Sequence, residues 1–116
     1  MAYMFHRANI FNQDFSSWDT SNVTDMQFMF YQTHEFNQPI GSWNTAKVTE
    51  MRHMFQGAQK FNSNISAWNT GLVENMDGMF EGALVFNQPL NSWNMSSVTS
   101  LDYMFKDNSV FNQPLG

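Results

Sequence analysis

Methionines three residues apart, at Met1/Met4, Met26/Met29, Met51/Met54 and Met76/Met79, carry thioether sulfurs at a spacing that could hold a soft ion such as Cu(I). The same methionines share a stripe with Val23 and Phe30 at helical period, which accounts for them as core. Asp14, Asp19 and Asp25 bring together the hard oxygen ligands that calcium takes. Their counterparts 25 and 50 residues on are Pro39, Asn44 and Glu50, then Asn64, Asn69 and Asn75, so no ladder of calcium ligands runs along the chain. His6, His34 and His53 fall at three unrelated positions and form neither a metal spacing nor a Ser-His-Asp grouping. There is no cysteine, hence no thiolate site and no disulfide framework, and no glycine-rich phosphate loop. The expectation is a non-enzyme without metal or cofactor.

Amides are the other recurrent chemistry. Asn12, Asn37, Asn62, Asn87 and Asn112 stand in one register, and a residue that recurs in every unit suits a structural ladder in which stacked amides satisfy turn backbone and one another. Gln13, Gln38, Gln88 and Gln113 make a second row; Asp19, Asn44, Asn69 and Asn94 make a third. Polar groups repeated at the spacing of stacked strands, about 4.8 Å, could bind an extended polymer or peptide. Ser17, Asp19, Ser42, Asn44, Asn69, Ser92 and Asn94 are the candidate outward surface. An ice-binding array of hydroxyls is approached only by Thr20, Thr45 and Thr70. Asn22-Val-Thr, Asn64-Ile-Ser and Asn94-Met-Ser match the N-glycosylation pattern, which arises by chance in a chain so rich in these residues.

Positioning these rows requires an element that repeats every 25 residues. Met-Phe recurs at Met4, Met29, Met54, Met79 and Met104; Phe-Asn recurs at Phe11, Phe36, Phe61, Phe86 and Phe111; tryptophan recurs at Trp18, Trp43, Trp68 and Trp93. A fixed period of this size marks a solenoid, whose units bury their apolar faces only against neighbours. Val23, Met26, Met29 and Phe30 predict a helix of about two turns, capped by Thr20 or Ser21 and, later, by Thr45 and Thr70. Pro39, Pro89 and Pro114 cannot donate to a ladder, so a short parallel strand is expected after them, over 15–18, 40–43, 65–68 and 90–93. Gly57 and Gly82 suit a helix end with positive φ, where Gln32 and Asp107 stand in the same register. The expected architecture is α/β, a leucine-rich-repeat-like solenoid of strand-plus-helix turns forming one domain over residues 1–116, about four and a half turns.

Charged residues are 13% of the chain and the net charge is −5, which disfavours a nucleic-acid partner. The basic residues Arg7, Lys47, Arg52, Lys60 and Lys106 are scattered, leaving no polybasic patch for anionic lipid, and the apolar runs are too short for membrane insertion.

Phe11 to Met26, Phe-Asn-Gln-Asp-Phe-Ser-Ser-Trp-Asp-Thr-Ser-Asn-Val-Thr-Asp-Met, followed by Met29-Phe30, resembles the repeat of the BspA-like leucine-rich-repeat surface proteins of bacteria and protists, and the likeness recurs in every turn. Ser63, Met95 and Leu101 are local departures. The resemblance implies extracellular or cell-surface display and a role in adhesion or protein binding; it carries no catalytic residues. The expected function is a non-enzymatic module binding a protein or surface polymer. The alternative is a self-assembling repeat protein: neither end carries a polar capping unit, which makes Met4, Phe5, Phe111 and Leu115 candidates for an end-to-end contact between copies.

Overall fold

The computed structural model describes Ala2, Asn12 and residues 17–113. Among these residues the backbone is a succession of tight turns, without a helix, and its strand character is reduced to isolated bridges. The expected α/β solenoid, with the strand and helix of a leucine-rich repeat in each turn, is thereby corrected. The body is compact, 34 × 32 × 19 Å. With no helix there is also none long and apolar enough to cross a membrane.

The period survives as a hydrogen-bonding register. Parallel bridges join Asp25 to Glu50, Glu50 to Asn75 and Asn75 to Ser100, so each 25-residue layer lies on the next in step. The residues read as helix are the ones that make this contact. In a helix the Phe30 amide would bond to the Met26 carbonyl; here it donates to Met54 O at 2.9 Å. Met26, Phe28 and Gln32 likewise donate to the carbonyls of Glu50, Arg52 and Gln56, at 3.0, 3.1 and 2.8 Å. The amides between them turn back: Met29 to Met26, Tyr31 to Phe28, Thr33 to Phe30. Alternate amides therefore serve the stack while the others close local turns.

This alternation depends on left-handed residues. Phe28 and Gln32 have φ of 56° and 61°, and the same two registers are left-handed in later layers, at His53 and Gly57, Gly78 and Gly82, Tyr103 and Asp107. Any such residue interrupts a right-handed helix. The positive φ expected at Gly57 and Gly82 is present; the helix it was to end is absent. The expected strands are displaced too. Trp43, Trp68 and Trp93 donate to Ile40, Ile65 and Leu90, three residues back, so 40–43, 65–68 and 90–93 are tight turns. Phe15 and Ser16, in the first expected strand, lie outside the described residues.

The interior consists of columns of like side chains. Phe30, Phe55, Phe80 and Phe105 stack at 5.5–5.6 Å between ring centroids. Phe36, Phe61, Phe86 and Phe111 stack at 5.7–6.1 Å. Within a layer the two columns touch face to face, as at Phe55 and Phe61, 4.1 Å apart. Trp43, Trp68 and Trp93 form a third column at 6.4–6.5 Å, and the indole N–H of Trp68 donates to Ile40 O at 3.0 Å. Met26, Met51, Met76, Ile40, Ile65 and Val73 fill the rest. Each large buried side chain contributes roughly 1.5–3 kcal/mol. The methionines are thus core, and the stripe that suggested a helix is buried by turns instead.

Candidate binding surface

Polar side chains at the rim of each layer fall into two groups: those consumed by the stack and those left facing outward. The asparagine row belongs to the first. The Oδ1 atoms of Asn12, Asn37 and Asn62 accept the backbone amides of Asn37, Asn62 and Asn87 at 2.9 Å, and Asn87 accepts that of Asn112 at 3.0 Å. The following residue leans on the same asparagine: Gln38 Nε2 donates to Asn12 Oδ1 at 2.9 Å and Gln88 Nε2 to Asn62 Oδ1 at 3.1 Å. Ser63, in the glutamine register, donates its hydroxyl to Asn37 Oδ1 at 3.0 Å. One amide per layer therefore accepts the backbone N–H of the next.

The threonine row is likewise internal. Thr20, Thr45 and Thr70 are buried, and their hydroxyls donate to the carbonyls of Asn44, Asn69 and Asn94 at 3.0–3.1 Å. These hydroxyls are unavailable to an ice surface.

The third row is exposed and rigid. Asn44, Asn69 and Asn94 each use Oδ1 to accept the amide two residues on, from Ala46, Gly71 and Ser96, at 2.9–3.0 Å. Asp19 does the same with Ser21 N at 3.0 Å and also accepts the Ser21 hydroxyl at 2.6 Å. These two bonds, hydroxyl first, hold the Asp19 carboxyl below the usual carboxylate range. With the oxygen committed, the Nδ2 groups of Asn44, Asn69 and Asn94 have no protein acceptor among the described residues and point a donor outward from each layer. Ser17, Ser42 and Ser92 are exposed beside them; the Ser92 hydroxyl donates to Ser66 O at 2.8 Å. All seven candidate surface residues thus lie on exposed backbone next to the tryptophan turn.

Two features were missed by sequence reasoning. One is the register of Phe28, His53, Gly78 and Tyr103, whose left-handed backbone only Gly78 hinted at. Phe28 and His53 stack there at 4.8 Å, Arg52 lies over the Phe28 ring at 5.8 Å, and Tyr103 is 68% exposed. Its signal was variability: one register that holds four different residues in an otherwise constant unit faces outward. The other is the acidic bridge row. Glu50 Oε1 is covered and without a hydrogen-bond partner, and burial, with smaller contributions from Asp25, Glu74 and Asp77 against Arg52, pushes the Glu50 carboxyl above the usual range.

Among the described residues no three His, Asp or Glu side chains converge on a point where a metal could sit. Asp19 and Asp25 are instead engaged locally, Asp25 accepting Gln27 N and Gln27 Nε2 at 2.9 Å. His34 meets Gln32 Oε1 at 3.0 Å. Asp14, His6, Met4, Phe5 and Leu115 lie outside the described residues, and Phe111 closes its column half-buried.

Layers of 25 residues, joined by amide ladders and presenting an amide-rich rim, define a repeat protein built on stacked turns. The family model described as "Mycoplasma protein of unknown function, DUF285" matches residues 1–49 and 39–116, and the chain belongs to that family. No curated protein and no solved structure matches it.

Proposed function

We propose that this chain is a non-enzymatic binding module, displayed at a cell surface, that engages a protein or surface polymer through the row at Asp19, Asn44, Asn69 and Asn94 with Ser17, Ser42 and Ser92 beside it. The observation that carries the reading is the rigid outward amide in successive layers, its oxygen fixed in a turn and its nitrogen free to donate. Donors already held in place lose little conformational entropy on binding, and their repetition suits a partner with acceptors along its length. The likeness of the repeats to BspA-like surface proteins supports display outside the cell and an adhesive role.

A triple variant, Asn44→Asp, Asn69→Asp and Asn94→Asp, tests this. Asp19 performs the same turn with a carboxylate, so the fold is kept while three donors become acceptors. Binding of the wild-type chain to immobilised extracellular proteins and polysaccharides, measured by surface plasmon resonance, should fall at least tenfold in the variant. Equal binding by the variant, or no binding by the wild type to any member of the panel, overturns the reading.

A further inference from the structure

The last ladder segment, residues 99–107, differs from those before it in what its amides do. Met76, Gly78, Phe80 and Gly82 donate to Ser100, Asp102, Met104 and Lys106. The amides one register further on, at Leu101, Tyr103, Phe105 and Asp107, have no acceptor among the described residues. They form four donors at alternate positions, all directed along the stack. Around them the apolar columns are open: Leu101, in the register of the buried Met26, Met51 and Met76, is 42% exposed, and Phe105 and Phe111 are half-buried where their counterparts are fully covered.

We infer that this face docks the opening layer of a second copy of the chain, head to tail. Three observations choose that occupant. The donor array has the spacing and chirality of the arrays that pair with a 25-residue layer three times within the molecule. By register Ala2, Met4 and His6 stand where Arg52, Met54 and Gln56 offer their carbonyls, so the opening sequence has the matching acceptor pattern. Trp18 is 40% exposed where Trp43 is 4%, so the opposite side of the stack also shows apolar surface. Four intervals at about 4.8 Å account for the 19 Å axis, which leaves a face of 34 by 32 Å, comparable to the roughly 800 Å² per partner of a standard interface. The contact joins unlike faces and leaves a fresh edge each time, so it grows into open rods rather than closing as a dimer. The inference stands apart from the lateral binding row.

Sedimentation velocity of the chain over rising concentration, with electron microscopy of the concentrated sample, is the test. An open series of masses and unbranched rods are expected, with the amides of Leu101, Tyr103, Phe105 and Asp107 exchanging quickly in the monomer and protected in the assembly. The double variant Leu101→Lys, Tyr103→Lys places two charges on solvent-exposed positions of the edge; it should melt cooperatively and assemble at least tenfold more weakly. A chain that stays monomeric, one that stops at a closed dimer, a folded variant that assembles as well as wild type, or edge amides that stay unprotected in the rods each overturns the inference.

Discussion

At the scale of single residues, an asparagine in the ladder is a structural bond, and its removal should register as lost stability. Asn62 Oδ1 accepts the amide of Asn87 and the side chain of Gln88. Asn62→Ala orphans a partly buried N–H, which costs about 1–3 kcal/mol, whereas Asn62→Asp keeps the acceptor and should lose less. Calorimetry of the two variants checks the order; equal losses would mean that the oxygen is not the important atom. Glu50 gives a pH dependence with a definite sign. Its folded pKa lies above the unfolded value of about 4.5, so the folded state holds the proton more tightly. Stability from this group is present below about pH 4.5 and is lost as pH rises through the raised pKa. Glu50→Gln should therefore be more stable than wild type at neutral pH, with the difference shrinking on acidification. An advantage that grows instead at low pH would refute the assignment.

At the scale of elements, two glycines separate backbone conformation from space. A Cβ on Gly82 would meet only Gly57 atoms at 3.7–3.8 Å, an ordinary contact, but its φ is 68°. Gly82→Ala should thus cost roughly 1–2 kcal/mol through the left-handed backbone alone. At Gly41, where no positive φ is involved, a Cβ would stand 2.3 Å from the Asn64 carbonyl oxygen in the next layer. Gly41→Ala forces the layers apart, an overpacking cost of about 1–3 kcal/mol, and chemical-denaturant midpoints compare the two. The same geometry explains what the sequence could and could not disclose. The period, the columns and the amide rows were legible because identical residues recur 25 apart. The element type was not: Val23, Met26, Met29 and Phe30 fit a helical stripe and a chain of turns equally well in burial. The deciding signal was a left-handed residue between the apolar positions. Phe28, His53 and Tyr103 occupy that place without the glycine that would announce it. Tertiary bonds between layers, invisible to local pattern, hold them there. For the rim, the sequence supplied the rows but not which oxygens the turns consume.

At the scale of the molecule, stability is a sum of layer contacts, since each layer touches only its neighbours. One interior layer buries Met51, Met54, Phe55, Phe61, Ile65 and Trp68, each contributing roughly 1.5–3 kcal/mol. Ordering the layer's backbone costs about 1–2 kcal/mol per residue, so the net gain of a layer is the small difference of two large terms. Removing residues 50–74 joins Thr49 to Asn75 in the place of Glu74 and restores every register, including a bridge from Asp25 to Asn75 in place of Asp25 to Glu50. That shortened chain should still unfold in one cooperative transition, at a lower temperature than the parent. Removing residues 50–61 deletes about as much chain as half a layer and moves the columns out of step: Phe and Trp would face the amide rows of the layer before. It should show no cooperative melt. If the half-layer deletion folded as well as the whole-layer deletion, the register of 25 residues would not be what holds the layers together.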